Sequence, residues 1–233
     1  ISNTDITLTV KQHSNICYFT FAEVFGLDPA VAETRMKMAL GVVEKMKAGG
    51  LGVQVTPHSL YSVSGPLTVM IREHITPESI ISVHFLESDD ERKMAQGHSE
   101  TALELSGMAA SVLLIHNTVI TRGEAEKVAS TGNTWFCLCP SSNMYISGKM
   151  PPAAMLREVT DRIVIGTDSL ASSGGLSMIT EIKLLQDAAP HLPAGEIIRW
   201  GTINGARAMK MDDTLGSIEP GKRPGLLLVE PFD

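Results

Sequence analysis

Short runs of apolar, often β-branched residues recur along the chain and alternate with stretches of mixed polarity. A strand inside a parallel sheet is covered on both faces, so it reads as a continuous apolar run rather than an alternating one. The pattern therefore predicts buried parallel strands over residues 16–24, 51–56, 80–86, 111–115, 134–138 and 163–165.

The segments between these runs carry apolar residues at three- and four-residue spacing, which is typical of helices with one buried face. Met36, Val43 and Met46, for example, fall on one face of a predicted helix. Thr121, followed three residues later by Glu124, has the capping-box pattern of a helix start. We predict helices over residues 30–47, 66–74, 100–107, 123–130, 153–159, 176–189 and 195–211.

The strand–helix repeats indicate an α/β fold with a parallel sheet, either a doubly wound open sheet or a (β/α)8 barrel. No G-x-G-x-x-G or G-K-S/T loop follows any predicted strand, which weakens the nucleotide-binding open sheet. Four polar residues do lie at the C-terminal ends of strand-like runs: His58, His84, His116 and Asp168. Because the active site of such a barrel is built where its strands end, this placement favours the barrel.

Composition narrows the possible partners of this fold. The 233 residues are 43% apolar and 19% charged, which is typical of a globular protein and excludes intrinsic disorder. The net charge of −7 argues against a nucleic-acid polymer or a membrane surface as partner, and no apolar run approaches the roughly 18 residues of a membrane span. Three cysteines form no disulfide framework, so we expect a cytoplasmic protein.

His84 and Glu87, in the segment V-H-F-L-E-S, are the first candidates for chemistry. Metal-assisted hydrolysis needs an imidazole to hold the ion and a carboxylate off the metal to move protons. A histidine that ends a buried strand and a carboxylate on the following loop match these two roles. The alternative is a hydrogen-bonded core histidine beside a solvated glutamate.

Asp168 and His116 also follow apolar runs. Because a buried charge is costly unless it is paired or metal-bound, Asp168 is a candidate metal ligand and proton acceptor. It is equally a candidate N-cap for the segment that follows it. His116 is a candidate metal ligand or a hydrogen-bonding partner of an attacking water, with a structural histidine as the alternative.

Four further residues are candidates for contact with a substrate. His58 and Tyr61 lie in the polar loop T-P-H-S-L-Y-S-V-S, and Ser169 directly follows Asp168. Asn143 lies in C-P-S-S-N, where we expect Pro and Asn to end the strand and turn the chain. The alternative for each is a polar loop residue that only satisfies the neighbouring backbone.

The order of these segments resembles the amidohydrolase superfamily. The resemblance rests on T-P-H-S-L-Y-S-V-S, V-H-F-L-E-S, L-L-I-H-N, C-P-S-S-N, I-G-T-D-S-L-A-S and G-S-I-E-P-G-K, which lie between residues 51 and 229. The chain is most similar to the branch that holds cytosine and guanine deaminases, S-adenosylhomocysteine or methylthioadenosine deaminases, and triazine chlorohydrolases. This resemblance implies a (β/α)8 barrel with one divalent metal, usually zinc and sometimes iron.

The resemblance also implies an activity, namely metal-dependent deamination of an aminated heterocycle of the nucleobase or nucleoside kind. The substrate would be a small molecule, and members of the branch are often homo-oligomers. Hydrolysis of another carbon–nitrogen bond, or of a carbon–halide bond, is the alternative within the family.

The family's roles map onto this chain residue by residue. His84 would be a metal ligand, and Asp168 would be both a ligand and the general base. Glu87 would shuttle protons, while His116 would position the water or the substrate. His58 would contact the substrate.

One departure from the family pattern is large, because its H-x-H pair of metal ligands occurs nowhere in the 233 residues. If the run that ends near His84 is the family's fifth strand, the runs at 51–56 and 16–24 are its fourth and third. We therefore expect strands one and two and the H-x-H pair to lie upstream of Ile1. On this reading, the barrel is partial over residues 1–211.

Residues 212–233 would then be the C-terminal segment of a small β-sandwich domain, with a strand over 226–229. A partial barrel has open apolar edges, for which we expect either strands from another chain or an incomplete, metal-poor site. A truncated, catalytically inactive form is accordingly the alternative to an active enzyme.

Overall fold

The computed structural model describes residues 1–94 and 97–228, and its strands follow the predicted apolar runs. The first strand begins at Phe19 rather than at residue 16, since Ile16 and Cys17 are exposed to solvent. The other strands differ from their predicted ends by at most one residue. They are β1 Phe19–Val24, β2 Gly52–Pro57, β3 Ile80–Phe85, β4 Ser111–His116, β5 Thr134–Leu138 and β6 Ile163–Ile165.

Helices connect the strands, as the apolar spacing predicts. Thr121 and Glu124 form the predicted capping box at the start of one of them. The helices are α1 Leu8–Gln12, α2 Ala32–Ala48, α3 Gly65–Arg72, α4 Asp89–Met94, α5 His98–Met108, α6 Arg122–Ala129, α7 Pro140–Ser147, α8 Ala153–Val159, α9 Met178–Ala188, α10 Ala194–Trp200 and α11 Ile203–Ala208.

Two predictions for segments outside the strands are wrong. The single helix predicted over 195–211 is divided into α10 and α11, because Thr202 between them has non-helical dihedral angles. The turn predicted after β5 is helix α7, whose first residue is Pro140. The first turn of a helix tolerates proline because its missing N–H would have no partner inside the helix there.

All strand pairs are parallel, and the strands follow one another in the order of the sequence. β1 pairs with β2, while β3, β4, β5 and β6 form a second sheet in that order. The two sheets are joined at their carboxyl ends, where the His84 amide donates to the carbonyl of His58 at 2.9 Å and Ser59 bridges to His84. The six strands of the described residues thus form one continuous arc, as expected for part of a barrel.

Side-chain alternation along the strands divides the core into two faces. The outer face packs against the helices and holds residues such as Phe85, Leu114 and Phe136. The inner face forms a separate apolar cluster below the carboxyl ends of the strands. That cluster contains Phe21, Ile80, Leu113, Ile115, Trp135, Cys137, Cys139, Val164 and Ala208.

The segment after α11 is less regular. Leu226, Leu227 and Leu228 are 78%, 86% and 83% exposed and form no strand, so the strand predicted over 226–229 is absent from 226–228. Val229 and residues 230–233 lie outside the described residues. The assignment of 212–233 to a β-sandwich therefore stays a prediction.

The outer edge of β1 is partly covered by residue 2. The Ser2 amide donates to the Phe21 carbonyl at 2.8 Å, and the Glu23 amide donates to the Ser2 carbonyl at 3.2 Å. These bonds form a short parallel bridge beside β1. Among the described residues, no helix has both the length and the apolar composition that a membrane crossing requires.

Candidate active site

The carboxyl ends of the strands bring together a group of titratable side chains. His84 is the penultimate residue of β3 and His116 is the last residue of β4, while Asp168 follows β6 and His58 follows β2. The ring centroids of His84 and His116 are 5.1 Å apart, and those of His58 and His84 are 4.5 Å apart. The predicted candidates therefore lie in one group at the end of the arc where barrel enzymes carry their active sites.

His84 lies at the centre of this group. Its side chain is 11% exposed, and its buried Nε2 atom has no hydrogen-bond partner among the described residues. Burial and the neighbouring His116 lower the pKa of His84 to about 4. The ring is therefore neutral at physiological pH, which is the form that binds a metal ion.

His116 reaches the site because its backbone leaves the strand conformation. Regular alternation would place its side chain on the outer face with Val112 and Leu114. Instead, His116 has a φ of 81°, in the left-handed region that a non-glycine residue rarely adopts. Such strain persists where the surrounding structure enforces it and is common at functional sites.

The hydrogen bonds of His116 assign it an orientation. Its Nδ1 lies 3.4 Å from Oδ1 of Asn143, whose amide nitrogen in turn donates to the hydroxyl of Thr118. Its Nε2 lies 3.3 Å from Oε1 of Glu87. Burial lowers the pKa of His116, so its ring is neutral and has one nitrogen that donates and one that accepts. When Nδ1 donates to Asn143, Nε2 is therefore an acceptor, and it faces Glu87.

The turn that carries Glu87 is held by a second glutamate that sequence reasoning missed. The carboxylate of Glu91, which is 2% exposed, accepts hydrogen bonds from the amides of Leu86 and Glu87, both at 2.8 Å. Burial and the charge of Asp168 raise the pKa of Glu87. Its carboxyl group therefore retains a proton to higher pH than a solvated glutamate would.

Asp168 has the opposite environment. Its Oδ2 accepts hydrogen bonds from the hydroxyls of Ser142 and Ser172, both at 2.6 Å. Burial acts to raise the pKa of Asp168, but the two hydroxyls and the nearby His116 outweigh it, so the pKa is lowered. The alternative role as a helix cap is excluded for α9, which is capped by Ser177.

The remaining predicted substrate contacts differ in exposure. The side chain of His58 is 34% exposed, and its pKa is raised by a hydrogen bond with Glu23. Tyr61 is half-buried, and Ser169 is exposed in the turn after Asp168. Asn143 is fully buried behind His116, where its amide orients the imidazole.

Glu23 is a member of the group that the sequence analysis did not select. It shares the inner face of β1 with Phe21, and its Oε1 lies 3.3 Å from Nδ1 of His58 and 3.9 Å from Nδ1 of His84. The available signal was its position, because it is the only charged residue within the apolar run 16–24. A charge inside a buried strand is a candidate for function by the argument applied to Asp168.

The side chains fit a divalent metal ion. His84, His116 and Asp168 each offer one ligand atom, and these atoms lie within 4.8 Å of one another. The unpartnered Nε2 of His84 is a buried polar atom that a metal ion would satisfy. Two imidazoles and a carboxylate form a donor set that is typical of zinc.

Comparison with known proteins shows which family the chain belongs to. The model of the amidohydrolase family matches residues 15–233. The chain belongs to the amidohydrolase family. The resemblance predicted from the six motifs is thereby confirmed, and so is the α/β fold with a parallel sheet.

Two kinds of amidohydrolase relative are similar to this chain. A 5-methylthioadenosine/S-adenosylhomocysteine deaminase from Halobacterium salinarum is 30% identical over 227 residues, which are 89% of this chain and 51% of the relative. The structure of Helicobacter pylori aminofutalosine deaminase with methylthio-coformycin has a TM-score of 0.78 and 21% identity, over 95% of this chain and 61% of that chain.

A third amidohydrolase similar in fold is the atrazine chlorohydrolase from Arthrobacter aurescens, complexed with zinc. It has a TM-score of 0.70 and 17% identity, over 94% of this chain and 54% of that chain. The present chain spans about half the length of the curated relatives it matches. The likeness in fold agrees with a partial barrel of the amidohydrolase type.

Proposed function

We propose that this protein is a metal-dependent hydrolase that deaminates an aminated heterocycle of the nucleobase or nucleoside kind. One observation carries the proposal: ligand atoms of His84, His116 and Asp168 lie within 4.8 Å of one another, and Glu87 lies 3.3 Å from His116. A metal-binding set with a carboxyl group beside it is the arrangement that hydrolytic deamination requires. The names of the relatives support the substrate class.

His84 and Asp168 are the proposed metal ligands, and His116 lies within reach of the same position. We favour zinc over iron because a zinc-bound chlorohydrolase is similar in fold and the donors are nitrogen and carboxylate oxygen. A divalent metal held there would lower the pKa of a water molecule to about 7 and would so supply a nucleophile at neutral pH.

Asp168 is the proposed general base. Its two serine partners both donate to Oδ2, and none of the described residues donates to Oδ1. The lowered pKa keeps this carboxylate charged at neutral pH. Oδ1 is therefore available to accept a proton from the attacking water.

Glu87 is the proposed proton donor. Its raised pKa favours the protonated form, which can transfer its proton to a nitrogen of the heterocycle as the water oxygen bonds to the adjacent carbon. The same carboxylate then takes up a proton from the added hydroxyl group and gives it to the departing amine, which leaves as ammonia. His116, oriented by Asn143 with its Nε2 as an acceptor, positions the attacking water by accepting a hydrogen bond from it.

Three candidate substrate contacts lie in segments that follow strands: His58 and Tyr61 after β2, and Ser169 after Asp168. The polar group of Ser169 is exposed, and that of His58 is partly exposed. We propose that these residues contact the substrate. Asn143 is also a predicted substrate contact, but its burial behind His116 supports an orienting role.

Displacement of halide from a heterocycle is the second candidate, favoured by the similarity in fold to the atrazine chlorohydrolase. Halide leaves without a proton, whereas an amine needs one. The two reactions therefore differ in their dependence on the proton that Glu87 carries.

The test is an ammonia-release assay on the zinc-loaded chain. Adenosine, 5′-deoxyadenosine, methylthioadenosine, S-adenosylhomocysteine, guanine and cytosine form the panel, and a chlorotriazine assayed for chloride tests the second candidate. We expect ammonia from at least one member of the panel and loss of release with a chelator. Stoichiometric zinc without any product from the panel would instead support the inactive form.

We retain three further expectations as proposals. Residues 1–211 contribute the barrel and 212–233 contribute to a β-sandwich domain. The protein acts on a small molecule in the cytoplasm, without a nucleic-acid or membrane partner. It assembles as a homo-oligomer, which light scattering of the purified chain would test.

A further inference from the structure

A second set of potential metal ligands lies at the ends of the first three strands. Glu23, His58 and His84 belong to consecutive strands or directly follow them. Glu23 pairs in register with Thr56, and the His84 amide donates to the His58 carbonyl at 2.9 Å. Backbone hydrogen bonds between neighbouring strands therefore hold all three residues side by side.

The side chains of this set point at one another. One ligand atom from each of Glu23, His58 and His84 lies within 4.8 Å of the other two. Oε1 of Glu23 is 3.3 Å from Nδ1 of His58 and 3.9 Å from Nδ1 of His84. A small cation among these three atoms would draw them together by only a short distance, since zinc binds nitrogen and oxygen at about 2.0–2.2 Å.

Charge and burial support a cation in this position. The side chain of Glu23 is 12% exposed, and within the described residues no lysine or arginine nitrogen lies within 4.0 Å of its carboxylate. A carboxylate buried to this degree needs a positive partner, which two imidazoles supply only when protonated. The partly exposed His58 leaves a path from solvent.

We propose that Glu23, His58 and His84 form an alternative position for a divalent metal ion, of the two-histidine and one-carboxylate class. This position shares only His84 with the set of His84, His116 and Asp168. A neutral imidazole has a single nitrogen lone pair with which to bind a metal, so the two positions exclude each other. One ion therefore has two places in the same site, and the chain retains an ion when either carboxylate alone is removed.

The test is zinc binding by competition with a chromophoric chelator, followed by cobalt absorption, on the folded chain without substrate. We expect one zinc per chain for the unaltered protein and for Asp168→Asn. In the Asp168→Asn background, adding Glu23→Gln should weaken zinc binding by at least about tenfold. Tenfold is the smaller effect seen when even a residue that only hydrogen-bonds to a metal ligand is removed. His58→Asn in that background should do the same.

The matched control is Asp168→Asn with Glu44→Gln, which removes an exposed carboxylate on α2 and should bind as Asp168→Asn does. His84→Asn should abolish binding at both positions. If Asp168→Asn does not fold by circular dichroism, Asp168→Ser serves in its place, since it also removes the carboxylate of the other set. The readout is metal affinity, so a failure of the proposed deaminase activity would leave the result unaffected.

Two results would overturn the proposal. One is the loss of stoichiometric zinc from a folded Asp168→Asn or Asp168→Ser chain. The other is equal zinc affinity of Asp168→Asn and of its combination with Glu23→Gln.

Discussion

The turns after β3 and β6 each present a carboxyl group to the same site, but with opposite surroundings. Glu87, after β3, is buried near the charge of Asp168, and its pKa is raised. Asp168, after β6, accepts hydrogen bonds from Ser142 and Ser172, and its pKa is lowered. Two carboxyl groups in one site thus acquire different roles from their neighbours, one as proton donor and one as proton acceptor.

The largest expected effect comes from removing the proton donor. Glu87→Gln keeps the shape of the side chain but cannot transfer a proton, so we expect kcat for ammonia release to fall by about 10²–10⁴-fold. Zinc content should stay unchanged, because Glu87 is not a proposed ligand. Halide release that survives this substitution would favour the second candidate function, in which no proton from Glu87 is required.

A second effect concerns His84, which lies among the carboxylates of the site. Its pKa is about 4 in the folded chain against 6.5 for the solvated group, so in the metal-free chain the unfolded state takes up the proton first. The stabilisation is complete above pH 6.5 and is lost as the pH falls towards 4.

At pH 5 the loss from this group should be about 2 kcal/mol, measured as the free energy of unfolding in urea relative to pH 7. The matched variant His84→Asn should lack that part of the pH dependence. An identical pH profile for the two metal-free chains would show that the ring is not held neutral by burial.

The turn of Glu87 can be loosened without touching its carboxyl group. Glu91→Gln replaces one of the two oxygens that accept the amides of Leu86 and Glu87. We expect about a tenfold lower kcat with little change in KM, which corresponds to about 1.4 kcal/mol in the transition state. A parallel rise in KM would indicate a general disturbance of the site instead of a misplaced donor.

The smallest expected effect tests the other turn. Ser142→Ala combined with Ser172→Ala removes both donors to Asp168, so the pKa of this carboxylate should rise. The acid limb of the kcat/KM profile of the zinc-loaded chain should then move to higher pH by about one unit, within the usual range of such hydrogen-bond effects. A limb that stays in place would contradict the assignment of Asp168 as the base.

Most of the strands and four residues of the candidate site could be predicted from sequence patterns. Buried parallel strands read as continuous apolar runs, so five of the six strands were predicted to within one residue at each end. His84, Glu87, His116 and Asp168 were selected because each lies at or just after the C-terminal end of such a run. The H-x-x-E spacing also distinguished Glu87 from the many exposed glutamates of the chain.

Other features had no local signal, or an ambiguous one. Pro140 begins a helix, although proline more often suggests a turn after a strand. Glu23 was missed because its partner, His58, is distant in sequence. Glu91 was missed because its partners are backbone amides, which carry no sequence signal. The substrate contact predicted for Asn143 stays a prediction, and only the tertiary structure shows that this residue is buried beside His116.

The amino-acid sequence by itself determined which segments are strands and which residue types end them, since both depend on local composition and period. Only the tertiary structure decided which of those residues meet. The left-handed backbone at His116 and the joining of β2 to β3 through His58 and His84 bring side chains from separate strands within a few ångströms. The pKa differences that separate the roles of Glu87 and Asp168 arise from that convergence, because burial and hydrogen bonding are properties of neighbours in space.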